Sequence, residues 1–92
     1  MIYEFPAIVS YDTVEHVYYV NFSDMSNCFT DGETLYKALD NASDVLGLML
    51  SDAECNGDLI PVPSNVNAIK LKPGEIVAII EANTDVYSRV AV

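Results

Sequence analysis

Apolar residues along this chain follow two periods, and the change from one to the other divides it into elements. From Ile2 to Asp12 the alternation is by twos: Tyr3, Phe5, Ala7, Val9 and Tyr11 share one face, with Pro6 and Ile8 on the other. That is the pattern of a half-buried strand. Pro6 has no backbone donor, so it belongs at an edge or at a gap in the ladder. Asp12 to Glu15 is polar apart from Val14 and reads as a hairpin connection. His16 to Phe22, HVYYVNF, is a second strand, β-branched and aromatic, and so short a connection makes the pair antiparallel. Tyr18, Val20 and Phe22 share one of its faces, Val17 and Tyr19 the other; a strand apolar on both faces is either covered twice or awaits a partner.

The period then changes. Ser23 to Ser26 is loop, Asn27 to Thr30 can form a short third strand, and Asp31-Gly32-Glu33 turns the chain into a helix. Leu35, Ala38, Leu39, Ala42, Val45, Leu46, Met49 and Ala53 recur at three- and four-residue spacing and form one stripe. Asp40, Asn41, Ser43, Asp44, Ser51 and Asp52 fall opposite. Thr34 stands at the N-cap, while Lys37 takes the place where a capping box wants Glu or Gln. Gly57 is placed to end the helix in the left-handed conformation, and Pro61 and Pro63 prevent its resumption. The helix is therefore expected over Thr34 to Cys55. Leu59 to Asn67 is an extended, proline-punctuated connection, and Ala68 to Leu71 is expected to be extended as well. Lys72-Pro73-Gly74 suits a type II turn. In Glu75 to Ala82, EIVAIIEA, the last strand, Val77, Ile79 and Glu81 oppose Ile76, Ala78 and Ile80. Asn83-Thr84 can cap a short C-terminal helix from Asp85 to Val90.

The element order is βββαβ: a three-stranded antiparallel meander, a helix, and a fourth strand. This predicts a two-layer α+β domain with the helix stripe on one face of the sheet. A helix between strands suits a crossover, so the fourth strand is expected to run parallel to a member of the hairpin sheet.

Size and charge narrow the function. Ninety-two residues make one domain, burying roughly two-thirds of its unfolded surface, and 51% apolar residues fill such a core. Fourteen acidic against four basic residues give a net charge of −10. Binding to nucleic-acid phosphates relies on Lys and Arg, so this balance leaves a basic partner, or plain solubility, as its meaning. No apolar run reaches the ~20 residues that span a bilayer, and MIYEFPAIV lacks the basic start and cleavage site of a signal peptide. The chain is expected in the cytoplasm. Cys28 and Cys55, with a single His, offer no zinc-ligand spacing; they are read as two reduced thiols rather than as a disulfide. His16, alone at a hairpin, is read as exposed rather than as an acid–base group.

An ordered set of motifs resembles the HicB antitoxin family. Phe5-Pro6-Ala7, Tyr18-Tyr19-Val20, Phe22, Asp24, Cys28, Thr30, Gly32, Thr34, Ala38, Leu39 and then Pro61, Pro63 and Ser64 follow that family's pattern across nearly the whole chain. Departures fall at Ser23, where the family usually has Pro, at Asn27 for Gly, and at Lys37 for Glu. The resemblance implies a partial ribonuclease-H-like fold and an antitoxin that covers the RNA-binding surface of HicA, a small basic mRNA-cleaving toxin. No cofactor and no metal are expected, and a homo-oligomer is left open. Many members add a C-terminal ribbon-helix-helix or helix-turn-helix that binds operator DNA. Here the sequence reaches Val92 where that segment would begin, and the 92 residues are expected to bind no nucleic acid alone.

Two other classes remain open. A ribonuclease-H-like nuclease would hold metal with Asp12, with Asp40 or Asp44, and with Glu81 or Asp85; solvated charges at element ends explain the same residues. An interaction module with no toxin would use the same surface for another basic protein. For partner binding the candidates are Asp24, Asp31 and Glu33 before the helix, Asp40 and Asp44 along it, and Tyr36 as an exposed anchor. Asp31 and Glu33 also suit the positive end of the helix.

Overall fold

The computed structural model describes residues 1–87. β1 (Ile2–Asp12), β2 (Val17–Asn21), β3 (Phe29–Gly32) and β4 (Ile76–Asn83) form one sheet in the order β3-β2-β1-β4, and α1 (Leu35–Asn56) packs across one face. This is the two-layer βββαβ arrangement expected. The β1–β2 turn is held by Asp12, whose Oδ1 accepts the backbone N–H of Val14 at 2.8 Å and of Glu15 at 2.9 Å. His16, exposed, reverses the chain at φ 58°.

β3 begins two residues later than the pattern suggested, because Asn27 adopts φ 59°. A left-handed residue cannot continue a ladder; here it closes a loop in which the Phe22 N–H donates to the Cys28 carbonyl at 3.0 Å. Asn tolerates that conformation better than most residues.

α1 starts from Thr34, whose hydroxyl accepts the Lys37 N–H at 3.1 Å, and stops at Gly57 with φ 70°. Of the expected stripe, Ala38, Ala42 and Leu46 are fully buried, Leu39, Val45, Met49 and Ala53 lie partly buried, and Leu35 is exposed. Gly47, Leu50 and Ser51 are buried as well. Ser51, opposite the apolar stripe by spacing, is buried because a 3-10 turn at Thr84–Tyr87 packs over it, and its Oγ lies 3.4 Å from the Tyr87 carbonyl it donates to. Phe5, Ala7, Val9, Val20, Phe22, Ile80 and Ala82 supply the sheet side of the core.

The fourth strand runs parallel to β2, a member of the hairpin sheet, as expected, but it is not paired with β2 and makes no parallel crossover ladder. β4 pairs with β1 antiparallel, Ile2 opposite Asn83 and Val9 opposite Ile76. The reason is the connection. β3 ends beside the Asp12 end of β1, α1 runs down to the Tyr3 end, where Tyr3 Oη donates to Glu54 at 2.7 Å, and residues 58–75 carry the chain back before β4 starts. A direct helix-to-strand step would have given the parallel crossover; the return length reverses it. Within the connection a 3-10 turn forms at Val66–Ala68 in place of the start of the extended Ala68–Leu71 segment, though Ile69 is extended. Gly74, at φ 86°, and the Glu75 N–H to Lys72 carbonyl bond make the expected turn. Pro6 lies beyond the β1–β2 ladder, which begins at Ile8, and so falls in a ladder gap. The expected helix over Asp85–Val90 reaches outside the described residues; its described part is the 3-10 turn.

Candidate functional site

The six partner-binding candidates do not gather in one patch. Tyr36, Asp40 and Asp44 follow at four-residue spacing along the outer side of α1, all exposed, with Tyr36 at 78%. Asp44 accepts the Tyr87 hydroxyl at 2.5 Å, and that bond pushes the Tyr87 phenol up to about 12. Asp31 and Glu33 are exposed at the other end of the connection from β3 into α1. The Asp31 carbonyl accepts from Asn41 Nδ2 at 3.0 Å, which ties β3 to the helix. Asp24 is apart from them all: its carboxylate accepts the Ser64 N–H at 2.9 Å and the Ser64 hydroxyl, fastening the connection to the loop after β2.

Beside Asp24 lies an open cavity of about 410 Å³ between α1, that loop and Leu59–Pro61. Met25, Met49, Leu50 and Ile60 wall it, and Asp52 and Asp58 stand on its rim. Its walls come from three separate segments, so no single stretch of sequence announces it.

The face of the sheet turned away from α1 also carries exposed side chains. Alternation puts Ile2, Glu4, Ile8, Ser10 and Asp12 of β1 on it, and Pro6, which is nevertheless fully buried, with Tyr19 of β2, Phe29 and Asp31 of β3, and Val77, Ile79 and Glu81 of β4 beside them. Ile2 is 60% exposed, Ile79 53% and Phe29 64%. Tyr19 donates its hydroxyl to Glu15 and is pushed up to about 12 by that bond, with Asp12 and Asp31 adding to the effect. Glu4 and Glu81 are directly opposite one another on adjacent strands, both exposed. Glu4 is not among the candidates drawn from the sequence, although it is the one ionisable residue between Ile2 and Ile8 on that face of β1.

The nuclease candidates are spread out. Asp12 is engaged by the hairpin turn, where the Glu15 N–H foremost and the Val14 N–H hold its carboxyl below the usual range. Asp85 lies at the opposite end of the sheet, 2.8 Å from the N-terminal ammonium. Among the described residues no three His, Cys, Asp or Glu side chains come together as a metal site would need. The thiols are separate too: Cys28 is buried and free, Cys55 exposed and free.

Several motif residues have evident structural work. A Cβ on Gly32 would come 2.5 Å from the Ala38 amide nitrogen, so Gly32 and Ala38 let β3 lie against the start of α1. Asp24 and Ser64 are partners across 40 residues.

Comparison with known proteins gives the fold and family. The chain aligns with a chain of a toxin–antitoxin complex from Streptococcus pneumoniae at TM-score 0.90 and 22% identity, over 99% of this chain and 76% of that one. It is similar to the N-terminal domain of antitoxin HicB from Burkholderia pseudomallei at TM-score 0.73 and 27% identity, over 85% and 95% of the two chains. A chain of a HicA3 and HicB3 toxin–antitoxin complex aligns at TM-score 0.66 and 24% identity, over 90% and 99%. No curated protein matches significantly. Residues 5–91 match the family described as HicB_like antitoxin of bacterial toxin-antitoxin system, so this chain belongs to the HicB-like antitoxins.

Proposed function

We propose that this antitoxin neutralises a small, basic HicA-like mRNA-cleaving toxin by covering the surface with which that toxin binds RNA. The observation that carries the reading is the charge of −10 on a 92-residue member of this family. A surface evolved to meet RNA phosphates is cationic, and carboxylates are its natural counterpart. Asp31 on β3, Glu33 in the turn after it, and Asp40 and Asp44 on α1 are all exposed, so their charge is free to steer a basic partner toward the domain. One similar structure pairs a HicB3 with a HicA3. The chain itself cuts nothing on this reading: it acts by occupying space and charge, in the cytoplasm where mRNA is.

The test is reconstitution with the small basic protein encoded next door. That protein alone should degrade mRNA, and an equimolar amount of this chain should stop it. Purified alone, the chain should leave RNA and duplex DNA intact in magnesium and bind neither. If no neighbouring product associates with it, the domain is an interaction module for some other basic protein. Cleavage by the chain that disappears on Asp12→Asn would put a nuclease in place of the antitoxin.

A further inference from the structure

We propose that the sheet face away from α1 is the toxin-receiving surface, and that Glu4 and Glu81 together hold one basic side chain of the toxin; this rests on the antitoxin reading above. Like charges directly opposed across a strand pair destabilise a sheet, and Glu4 faces Glu81 in the β1–β4 ladder. Nothing in the strands relieves the pair. None of the four contains Lys or Arg. The described lysines lie on α1 (Lys37) and on the connection (Lys70, Lys72), and the N-terminal ammonium is held by Asp85, Asn83 and Thr84.

The same face is apolar where the pair sits. Ile2 and Ile79, 60% and 53% exposed, flank the two carboxylates, and Ile8 and Val77 continue the strip along the two strands. An apolar strip with an acidic pair at one end, and Tyr19 beside Asp31 and Glu15 at the other, is complementary to an apolar patch rimmed by Lys or Arg. One guanidinium or ammonium between Glu4 and Glu81 turns a repulsion into two charge-assisted hydrogen bonds. A second copy of this chain would bring a second pair of carboxylates to the same spot, and a nucleic acid would bring phosphates. The occupant that fits is a basic protein.

A lysine in place of Glu81 separates this role from a structural one. Glu81→Lys places a cation opposite Glu4, so the isolated chain should melt at a higher temperature than the wild type while losing about tenfold or more in affinity for the neighbouring basic product. Glu81→Gln and Glu4→Gln should shift both quantities the same way, less far. Ile79→Ser should weaken binding and leave melting nearly unchanged. If the wild type binds and all four variants bind as tightly, the face is elsewhere and the antitoxin reading stands without it. If a dimer of this chain alone falls apart on Ile79→Ser, a second copy occupies the face and the proposal fails. A wild type that binds no basic product overturns both.

Discussion

Burial alone sorts the two thiols. Cys28 is fully buried, and desolvation pushes its thiol up to about 11, where almost no thiolate exists at neutral pH. Cys55 is exposed on the last turn of α1. Titration with Ellman's reagent at pH 8 should therefore release the equivalent of one thiol promptly and the second only on denaturation; two prompt equivalents would place Cys28 at the surface. Tyr87 gives a second handle on pH. Its phenol, raised from 10 to about 12 by the bond to Asp44, favours the folded state while neutral. That contribution is complete below pH 10 and is lost as pH climbs toward 12. Tyr87→Phe should flatten the decline of the unfolding midpoint across that window, with one fewer late-titrating phenol in the absorbance at 295 nm; an unchanged decline would mean the bond is absent in solution. At this scale the sequence was legible wherever one residue's backbone chemistry decides the outcome. Thr34 caps through its hydroxyl, and Gly57 and Gly74 take the positive φ that a missing Cβ allows. Asn27 was misread because its left-handed φ competes with the extended pattern around it.

Periodicity gave α1 to within a residue at each end, because capping and the apolar stripe agree there. The second buried row was not legible. Gly47 and Ser51 are covered by the Thr84–Tyr87 turn, which arrives more than 30 residues later in sequence, and no local pattern announces it. Gly47 shows how closely: a Cβ there would overlap the Tyr87 ring. Gly47→Ala should cost about 1–3 kcal/mol of stability as an overpacked site, despite the better helix propensity of Ala. In the background of Tyr87→Ala the same change should be neutral or stabilising. Urea denaturation of the four proteins in a double-mutant cycle measures this coupling, and additivity would show that Tyr87 does not pack there. The candidate row Tyr36, Asp40 and Asp44 came from the same periodicity, read on its outer side. Glu4 and Glu81 needed the β1–β4 register, which pairs residues 77 apart.

For the molecule as a whole, charge was readable and topology only in part. The layers and strand count follow from the pattern of periods, whereas the pairing of β4 depends on the path of the 58–75 connection, whose own sequence is turn-rich and lacks a period. Net charge bears on kinetics. Attraction between exposed charges is screened beyond about 8 Å at physiological salt, so the on-rate for the toxin should fall with added salt more than the off-rate rises. Changing Asp40 and Asp44 together to Lys should slow association at low salt without unfolding, since neither is buried. Stopped-flow or surface kinetics with a parallel thermal melt checks both; a folded double variant that associates at the wild-type rate would free the helix row from steering.

The connection between α1 and β4 also makes the protein divisible. It is exposed almost throughout and is fastened to the body chiefly through Asp24 and Ser64 and through Leu59–Pro61 at the helix end. Lys70 lies in it, exposed, while the bond after Lys72 is shielded from trypsin by Pro73. A first tryptic nick after Lys70 leaves β4 paired along eight residues of β1 with no covalent link to the helix. The two fragments would then travel together on a sizing column and separate only in denaturant, making the last strand a peptide that the remainder can be asked to recognise.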